Sequence, residues 1–265
     1  MKIGIVGLGL VGSAIKYGFE KLGHEIIPHD IKLNTSLETL KKTEIIFICV
    51  PTPALETGQC NVKIVEEIIF QLDQLSFGGL IAIKSTTEPG TTSKLKTEYP
   101  NLRICFVPEF LRERCAEIDF IDNHDICIIG TSNEDDYNLV KKAHGSYPEK
   151  FIRLSETEAE LSKYFNNVFN ATLITFANNF YELCLKMDVD YTNIKNAITN
   201  RNHISDLYLD CNTNFRGFGG VCLPKDTKAL KFLTENLGAS GSLFETLLED
   251  NKKYKTTVFD NMREQ

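Results

Sequence analysis

The hexapeptide Gly7-Leu8-Gly9-Leu10-Val11-Gly12 follows a short apolar run, residues 2–6, and opens a stretch with helical spacing, residues 13–22. In this setting the first glycine permits a tight turn. The second lets the backbone approach a pyrophosphate, and the third allows close packing of helix on strand. The N–H groups that follow, those of Leu10 and Val11 included, bring the positive end of a helix dipole. A second apolar run, residues 25–28, is closed by Asp30. A carboxylate at that place accepts from an adenosine ribose hydroxyl and repels a 2′-phosphate. The order strand, turn, helix, strand, Asp therefore predicts NAD as cofactor rather than NADP.

Further along, strands and helices keep alternating. Residues 36–41 read as a short helix with Ser36 as a cap. Residues 45–50 form a buried strand, stopped by Pro51-Thr52-Pro53. An amphipathic helix at 61–75 is followed by strands at 80–84, 103–107, 126–129 and 151–154, with helices at 92–98 and 135–143. Continuous apolar strands alternating with helices predict an α/β fold: a Rossmann-type doubly wound parallel sheet covered on both faces. After Leu154 the texture changes. Residues 156–187 contain neither Gly nor Pro, and Leu161, Tyr164, Phe165, Val168, Phe169 and Phe176 recur at helical spacing. A helix of roughly 30 residues is about 45 Å long, which suits a domain connector or a dimer seam. Shorter helices are expected at 191–200, 227–236 and 242–259. The organisation expected is thus 1–154, an NAD-binding domain, and 155–265, an all-helical central and dimerisation domain, with a homodimer formed through helix 156–187.

Composition sets bounds. The 265 residues carry 29 Lys+Arg against 36 Asp+Glu, a net charge of −7, with 42% hydrophobic and 25% charged residues. These are globular values. The longest apolar stretch, 45–50, is too short to span a bilayer, and Gly7 and Gly9 come too early for a signal-peptide core. The acidic balance argues against a general nucleic-acid binder. None of the eight cysteines forms a CxxC pair, so no metal is expected. Cys49 and Cys127 sit in apolar runs and read as small buried hydrophobes. Without an export signal the thiols are expected reduced and the location cytoplasmic. His24, His29, His124 and His144 read as surface or turn residues.

A second glycine-rich segment stands in the helical half: Gly217-Phe218-Gly219-Gly220-Val221-Cys222-Leu223-Pro224-Lys225-Asp226. The glycines let backbone wrap closely around a ligand. Cys222 follows them, with Lys225 and Asp226 one turn on. A nearby ammonium and a helix start both favour a thiolate nucleophile. By composition alone, a buried Cys beside a surface Lys–Asp pair reads equally well.

With this loop in place the sequence resembles the UDP-glucose/GDP-mannose dehydrogenase family. The resemblance is carried, in family order, by residues 7–12; Val50-Pro51-Thr52-Pro53; Lys84-Ser85-Thr86 with Gly90-Thr91-Thr92; Pro108-Glu109-Phe110-Leu111-Arg112-Glu113; Glu158-Ala159-Glu160-Leu161-Ser162-Lys163-Tyr164-Phe165-Asn166-Asn167; and residues 217–226. It spans nearly the whole chain. It implies a two-step, NAD-dependent oxidation of a nucleotide-sugar primary alcohol, UDP-glucose to UDP-glucuronate. An aldehyde forms first. A cysteine adds to it as a thiohemiacetal, a second oxidation gives a thioester, and water releases the uronic acid, two NAD being consumed per sugar.

The resemblance assigns roles by position. Cys222 is the nucleophile. Lys163 and Asn167, spaced i,i+4 on the long helix, hydrogen-bond the alkoxide or thioester oxygen and touch the substrate. Glu109 activates the hydrolytic water, and Asp226 assists as a base or orients it. Thr86, at the carboxyl edge of the sheet, contacts the cofactor or a water. Pro51, Thr52, Glu113 and Lys225 join Gly7, Gly9, Leu10, Val11, Gly12 and Asp30 around the cofactor. Phe110, Leu111, Arg112, Phe218, Gly219 and Arg201 join the substrate contacts.

The sequence also departs from the family. His203 stands where members usually have an arginine that reaches the neighbouring subunit's substrate; Arg201 is the available substitute. The segment from Tyr208 to Arg216 is longer than expected. Typical members carry a third domain after the central helices, and this chain stops at Gln265. The expectation is either a truncated chain or a naturally short form, the latter receiving that domain from a separate subunit, taking a smaller substrate or closing the site by dimerisation. GDP-mannose or another nucleotide sugar is the alternative substrate. A β-hydroxyacid dehydrogenase would need a helical lysine but no cysteine loop. A non-catalytic NAD-binding dimerising protein is the remaining alternative.

Overall fold

The computed structural model of the protein describes residues 1–254. The chain divides into two compact units. Unit 1 is Met1–Pro53 with Cys60–Lys163; unit 2 is Ala54–Gln59 with the chain from Tyr164 onward.

Unit 1 is built on a seven-stranded sheet ordered β2-β1-β3-β4-β5-β6-β7. The strands are β1 (Lys2–Val6), β2 (Glu25–His29), β3 (Ile45–Ile48), β4 (Leu80–Ile83), β5 (Arg103–Phe106), β6 (Ile126–Gly130) and β7 (Lys150–Leu154). The helices of this half are α1 (Leu10–Lys21), α2 (Lys63–Gln74), α3 (Thr91–Glu98), α4 (Ala116–Ile121) and α5 (Glu134–His144). The alternation of side chains along each strand explains the near-absence of polar residues. Ile46, Ile48, Ile81, Ile83, Ile104 and Phe106 point into one core with Val65, Ile69 and Leu72 of α2 and Leu95 of α3. Ile3, Ile5, Phe47, Ala82 and Cys105 point into the other with Ile15 and Phe19 of α1, Phe120 of α4 and Val140 of α5. Both faces are covered, so neither tolerates charge.

The parallel register places the ends of β1, β3, β4 and β5 side by side: Val6 pairs Ile48, Ile48 pairs Ile83, and Ile83 pairs Phe106. The residues that follow these strands therefore emerge at one edge. The strand order reverses between β1 and β3, which is where open sheets of this type bind ligands.

Two expectations about unit 1 need correction. The sheet is mostly but not wholly parallel: β6 pairs β5 antiparallel and carries β7 with it. The reversal is made by a 3-10 turn at Glu113–Cys115 and by α4, neither of which the sequence pattern disclosed. His144, expected at the surface, is fully buried. Its ring lies 5.3, 5.6 and 5.8 Å from those of Phe19, Phe47 and Phe120. Its Nδ1 is 2.9 Å from the Val140 carbonyl, which makes Nδ1 the protonated nitrogen.

In unit 2 the long helix α6 (Glu156–Lys186) continues from unit 1 and is followed by α7 (Tyr191–Ile198), α8 (Cys222–Asn236) and α9 (Ser242–Asn251). A small core of Ala177, Cys184, Tyr191, Leu209 and Cys211 forms around the end of α6, pinned by Tyr191 Oη donating to the Leu209 carbonyl at 2.7 Å. Helix α8 starts at Cys222, five residues before the expected start at 227. Helix α9 ends at Asn251, and the part of the expected helix beyond residue 254 lies outside the described residues. None of the described helices is long and apolar enough to cross a membrane.

Burial holds the His144 imidazole well below its usual range, whereas in the unfolded chain it titrates near pH 6.5. As pH falls through 6.5 the unfolded state takes up a proton that the folded state refuses, so stability is lost in that direction. Each such histidine costs about 1.4 kcal/mol per pH unit. Urea unfolding between pH 7.5 and 5.5 is expected to show this fall. His144→Phe, which keeps a ring in the cluster, is expected to flatten the slope by one proton.

Candidate active site

The glycine turn has the shape its sequence implies. Gly7 has φ +89°, and a Cβ there would meet the Cys49 carbonyl oxygen at 2.8 Å. A Cβ on Gly12 would lie 1.9 Å from the Gly7 carbonyl oxygen, so only glycine lets α1 start this close to β1. Gly9 faces open space, with nothing within 4 Å of a Cβ. It is the N-cap of α1 and supplies no side-chain cap to the first-turn N–H groups. Those donors and the open approach fit a pyrophosphate. Leu10 is exposed and Val11 half-buried beside it.

Asp30, directly after β2, accepts from Leu8 N at 2.7 Å through Oδ2 and from Lys32 N at 2.9 Å through Oδ1. The first of these bonds is the main reason its carboxyl lies below the ordinary range. It thus couples the turn to the strand end and is held toward its ionised form.

At the same edge, Ser85 Oγ donates to the Val50 carbonyl at 2.8 Å, tying the Pro51-Thr52 loop to the end of β4. Thr52 is buried, Pro51 exposed and Thr86 half-buried. Glu160 of α6 is fully buried. It accepts from Gly90 N (2.5 Å), Thr92 N (2.8 Å), Thr92 Oγ1 (2.7 Å) and Thr87 Oγ1 (3.1 Å). A carboxylate from α6 thereby caps α3 and fixes the loop that carries Thr86.

The loop after β5 bears Glu109, which is buried. Its Oε2 lies 2.9 Å from Lys84 Nζ, and its Oε1 accepts the Phe110 N–H at 2.9 Å. Burial pushes this carboxyl up, but the Lys84 charge outweighs it and leaves Glu109 below the ordinary range. Lys163 Nζ donates to the Glu109 carbonyl and sits 5.5 Å over the Phe110 ring. Leu111 is half-buried and Glu113 exposed. Arg112 forks onto Asp119 at 2.9 and 2.6 Å, which closes the loop onto α4.

Unit 2 carries its own polar centre. Asp226 is fully buried; its Oδ1 accepts from Lys225 Nζ and its Oδ2 from Asn167 Nδ2, each at 2.5 Å. Asn166 Nδ2 holds Asn167 Oδ1 at 3.1 Å. Lys225 is therefore committed to Asp226. Cys222 is the first residue of α8 and is the exposed one of the eight cysteines. Burial pushes the thiols of Cys49 and Cys127 up to about 12. The surface Lys–Asp pair with a buried cysteine, open by composition, is reversed: the cysteine is outside and the aspartate inside.

The glycine loop before Cys222 is clamped at two amides that the sequence reading missed. Asn178 Oδ1 accepts from Gly217 N at 3.1 Å and from Arg216 Nε at 2.7 Å. Asn251 both accepts from Phe218 N (2.7 Å) and donates to its carbonyl (2.8 Å). Phe218 is buried, Gly219 half-buried, and Arg201 and His203 are exposed. Asparagines in helices carry no pattern that would have marked these two. Lys84 did leave a signal, a lone charge at the end of the apolar strand Leu80–Ile83. Among the described residues no group of acidic, His or Cys side chains could hold a metal ion.

Comparison with known proteins bears on this arrangement. A model of the NAD binding domain of the UDP-glucose/GDP-mannose dehydrogenase family matches residues 31–147, and a model of that family's central domain matches residues 157–253. The chain belongs to the UDP-glucose/GDP-mannose dehydrogenase family. Its cofactor, as for that NAD binding domain, is NAD. The UDP-glucose 6-dehydrogenase of Rickettsia bellii is 31% identical over 93% of this chain and 57% of its own length. That of Rickettsia prowazekii is 30% identical over 95% of this chain and 67% of its own. A solved UDP-glucose dehydrogenase from Pyrobaculum islandicum superposes with TM-score 0.87 at 27% identity, over 95% of this chain and 68% of that one. This member of the family thus spans between 57% and 68% of these relatives.

The turn separates two effects of a methyl group. Gly12→Ala forces the helix off the strand and is expected to cost about 1–3 kcal/mol of stability along with NAD affinity. Gly9→Ala enters open space. It is expected to leave stability within about 0.5 kcal/mol while weakening NAD at least tenfold, because the methyl occupies the pyrophosphate approach. Thermal melts and calorimetric NAD titration of both variants check this.

Proposed function

We propose that this chain is an NAD-dependent nucleotide-sugar 6-dehydrogenase that converts UDP-glucose to UDP-glucuronate. The observation that carries the reading is Cys222, the exposed thiol, standing at the first residue of α8 behind a clamped glycine loop. The dehydrogenase relatives support it. When bound at the Gly7–Gly12 turn and Asp30, NAD supplies a hydride acceptor.

The chain's own residues do the rest. The C6 alcohol loses two hydrogens and becomes an aldehyde. Cys222 Sγ adds to the aldehyde carbon, forming a C–S bond and a thiohemiacetal. Its oxidation leaves a thioester, in which the carbonyl carbon remains open to water. Water then adds, the C–S bond breaks, and the thiol and the carboxylate separate. Glu109, held ionised in unit 1, takes the proton of the attacking water. Lys163 and Asn167 are donors suited to the oxygen that gains charge when Cys222 or water adds. Asp226 holds the Asn167 amide in place and keeps Lys225 beside α8. Thr86 contacts the cofactor or a water.

The exposed face of α6 supports assembly as a homodimer. Phe165 is 74% exposed, Phe169 53% and Phe176 57%, and the Phe165 and Phe169 rings stack on each other at 6.3 Å. With Leu183 they follow spacings of four and seven, the signature of a helix seam. All eight cysteines are free, which supports a reducing compartment, the cytoplasm.

NADH production from purified protein with UDP-glucose, GDP-mannose and no sugar is the direct test. Two NADH per UDP-glucose are expected. Cys222→Ala is expected to bind NAD normally and to form no uronic acid; normal turnover in that variant defeats the mechanism. Absence of NADH with every sugar, despite NAD binding, defeats the reading for this chain alone and leaves a requirement for a separate subunit. Phe169→Asp with Phe176→Asp is expected to halve the mass measured by light scattering; an unchanged mass rules out the α6 seam.

A further inference from the structure

Lys84 has no place in the chemistry set out above, yet it is the most deeply buried ammonium beside that chemistry. Its side chain is 1% exposed. It follows β4 directly, on the row of residues that leaves the sheet at its carboxyl edge. Its Nζ lies 2.9 Å from Glu109 Oε2 and 6.0 Å from the centre of the Phe47 ring. A lysine does not enter such a place for packing alone, since an ammonium in an apolar interior needs a partner.

The groups facing this pair come from every neighbouring element. Cys49 follows β3, Cys127 lies on β6, His124 precedes β6 and His144 ends α5. Burial pushes both thiols up to about 12 and both imidazoles down, so all four stand neutral at pH 7. Lys163 adds a second ammonium, bonded to the Glu109 carbonyl. The charge of Lys84 is thus answered by the Glu109 carboxylate.

Unit 1 contains its own control. Glu160 is as thoroughly enclosed and receives four hydrogen bonds from neutral donors. Burial nevertheless holds its carboxyl above the ordinary range. Glu109 receives one backbone N–H and one ammonium, and sits below that range. Four neutral donors leave a buried glutamate above its ordinary range, and one full charge at salt-bridge distance brings it below.

Resting on the oxidation reading, we propose that Lys84 is a positioning residue for Glu109: it holds the carboxylate as its counter-ion, fixes Oε2, and leaves Oε1 to receive the proton of the water that attacks the thioester. Without the Lys84 charge, burial would raise the Glu109 carboxyl and favour its protonated form, which is not a base. The same contact fixes the backbone carbonyl on which Lys163 rests, so both groups take their position from one buried ammonium.

The test is the pH dependence of uronic acid formation in Lys84→Met. Removing the charge raises the Glu109 carboxyl, so the acid limb of kcat is expected to move upward by at least about one pH unit, a tenfold loss at any pH below the limb. NAD affinity and KM for the nucleotide sugar are expected to stay within about twofold. Lys84→Arg restores a charge and is expected to return the limb toward its original position. A folded Lys84→Met with an unmoved limb overturns the proposal. Should that variant not fold, the wild-type protein still answers. The Phe110 amide donates to Glu109 Oε1, so its ¹⁵N shift reports the carboxyl. Titration of that shift below pH 4.5 supports the pairing, and titration above pH 5 overturns it. This readout does not depend on turnover. Wild-type protein that oxidises no nucleotide sugar sinks the oxidation reading, while the amide titration separately decides the Lys84–Glu109 assignment.

Discussion

A salt bridge shut away from water, Lys84 with Glu109, organises the carboxyl edge of the unit 1 sheet. Each ion loses several kcal/mol of hydration on burial, and losing one partner of such a pair costs about 3–5 kcal/mol. The two groups are therefore bound to each other's position. Lys84 is fixed by β4, so the loop after β5 is fixed through Glu109. The Phe110 N–H and the Lys163 ammonium are then held on the same loop. The pair links a central strand, a loop and the start of α6 through one contact. A hydrophobic pair of equal volume could pack there, but it would leave no carboxylate at this edge.

Unit 2 repeats the device with different parts. Asp226 has no exposure and is held by the Lys225 ammonium and the Asn167 amide. In the glycine-rich loop before Cys222, Asn178 and Asn251 supply the hydrogen bonds that such a loop does not make with itself. A loop with little side-chain packing is ordinarily mobile. Here side-chain amides from α6 and the end of α9 stand in for a sheet neighbour, and Cys222 follows from a backbone held at both Gly217 and Phe218. The exposed Cys222 thiol thus rests on buried polar groups, which leave it open to solvent and give it a defined place.

The parts of the fold that were legible in the sequence are those with strong periodicity. Ile45–Ile48 and Leu80–Ile83 are continuous apolar runs because both faces of the sheet are covered, and α6 is long because residues 156–186 lack any breaker. The parts missed have no periodic signature. Helix α4, Ala116–Ile121, spans under two turns, and nothing in the composition of β6 says which way it runs. Helix α8 starts at Cys222 and takes in Pro224, because proline is tolerated in a helix's first turn, where the N–H is free anyway. His144, expected at the surface or in a turn, carries no local mark of burial. Its burial follows from the aromatic rings of Phe19, Phe47 and Phe120, which come from α1, β3 and α4.

The sequence by itself determined the nucleotide turn, because three glycines and a following aspartate act over a short span of chain, where geometry is local. It determined the candidate residues Lys163, Asn167, Glu109, Cys222 and Asp226 through their motifs. It also determined that the early strands had to be enclosed. Only the tertiary structure decided which of these groups are charged, buried or exposed. That Cys222 is outside and Asp226 inside, that Lys84 is the counter-ion of Glu109, and that Glu160 caps α3 across the chain are all matters of long-range contact. Electrostatic state depends on burial and on partners far away in sequence, and no local pattern records either.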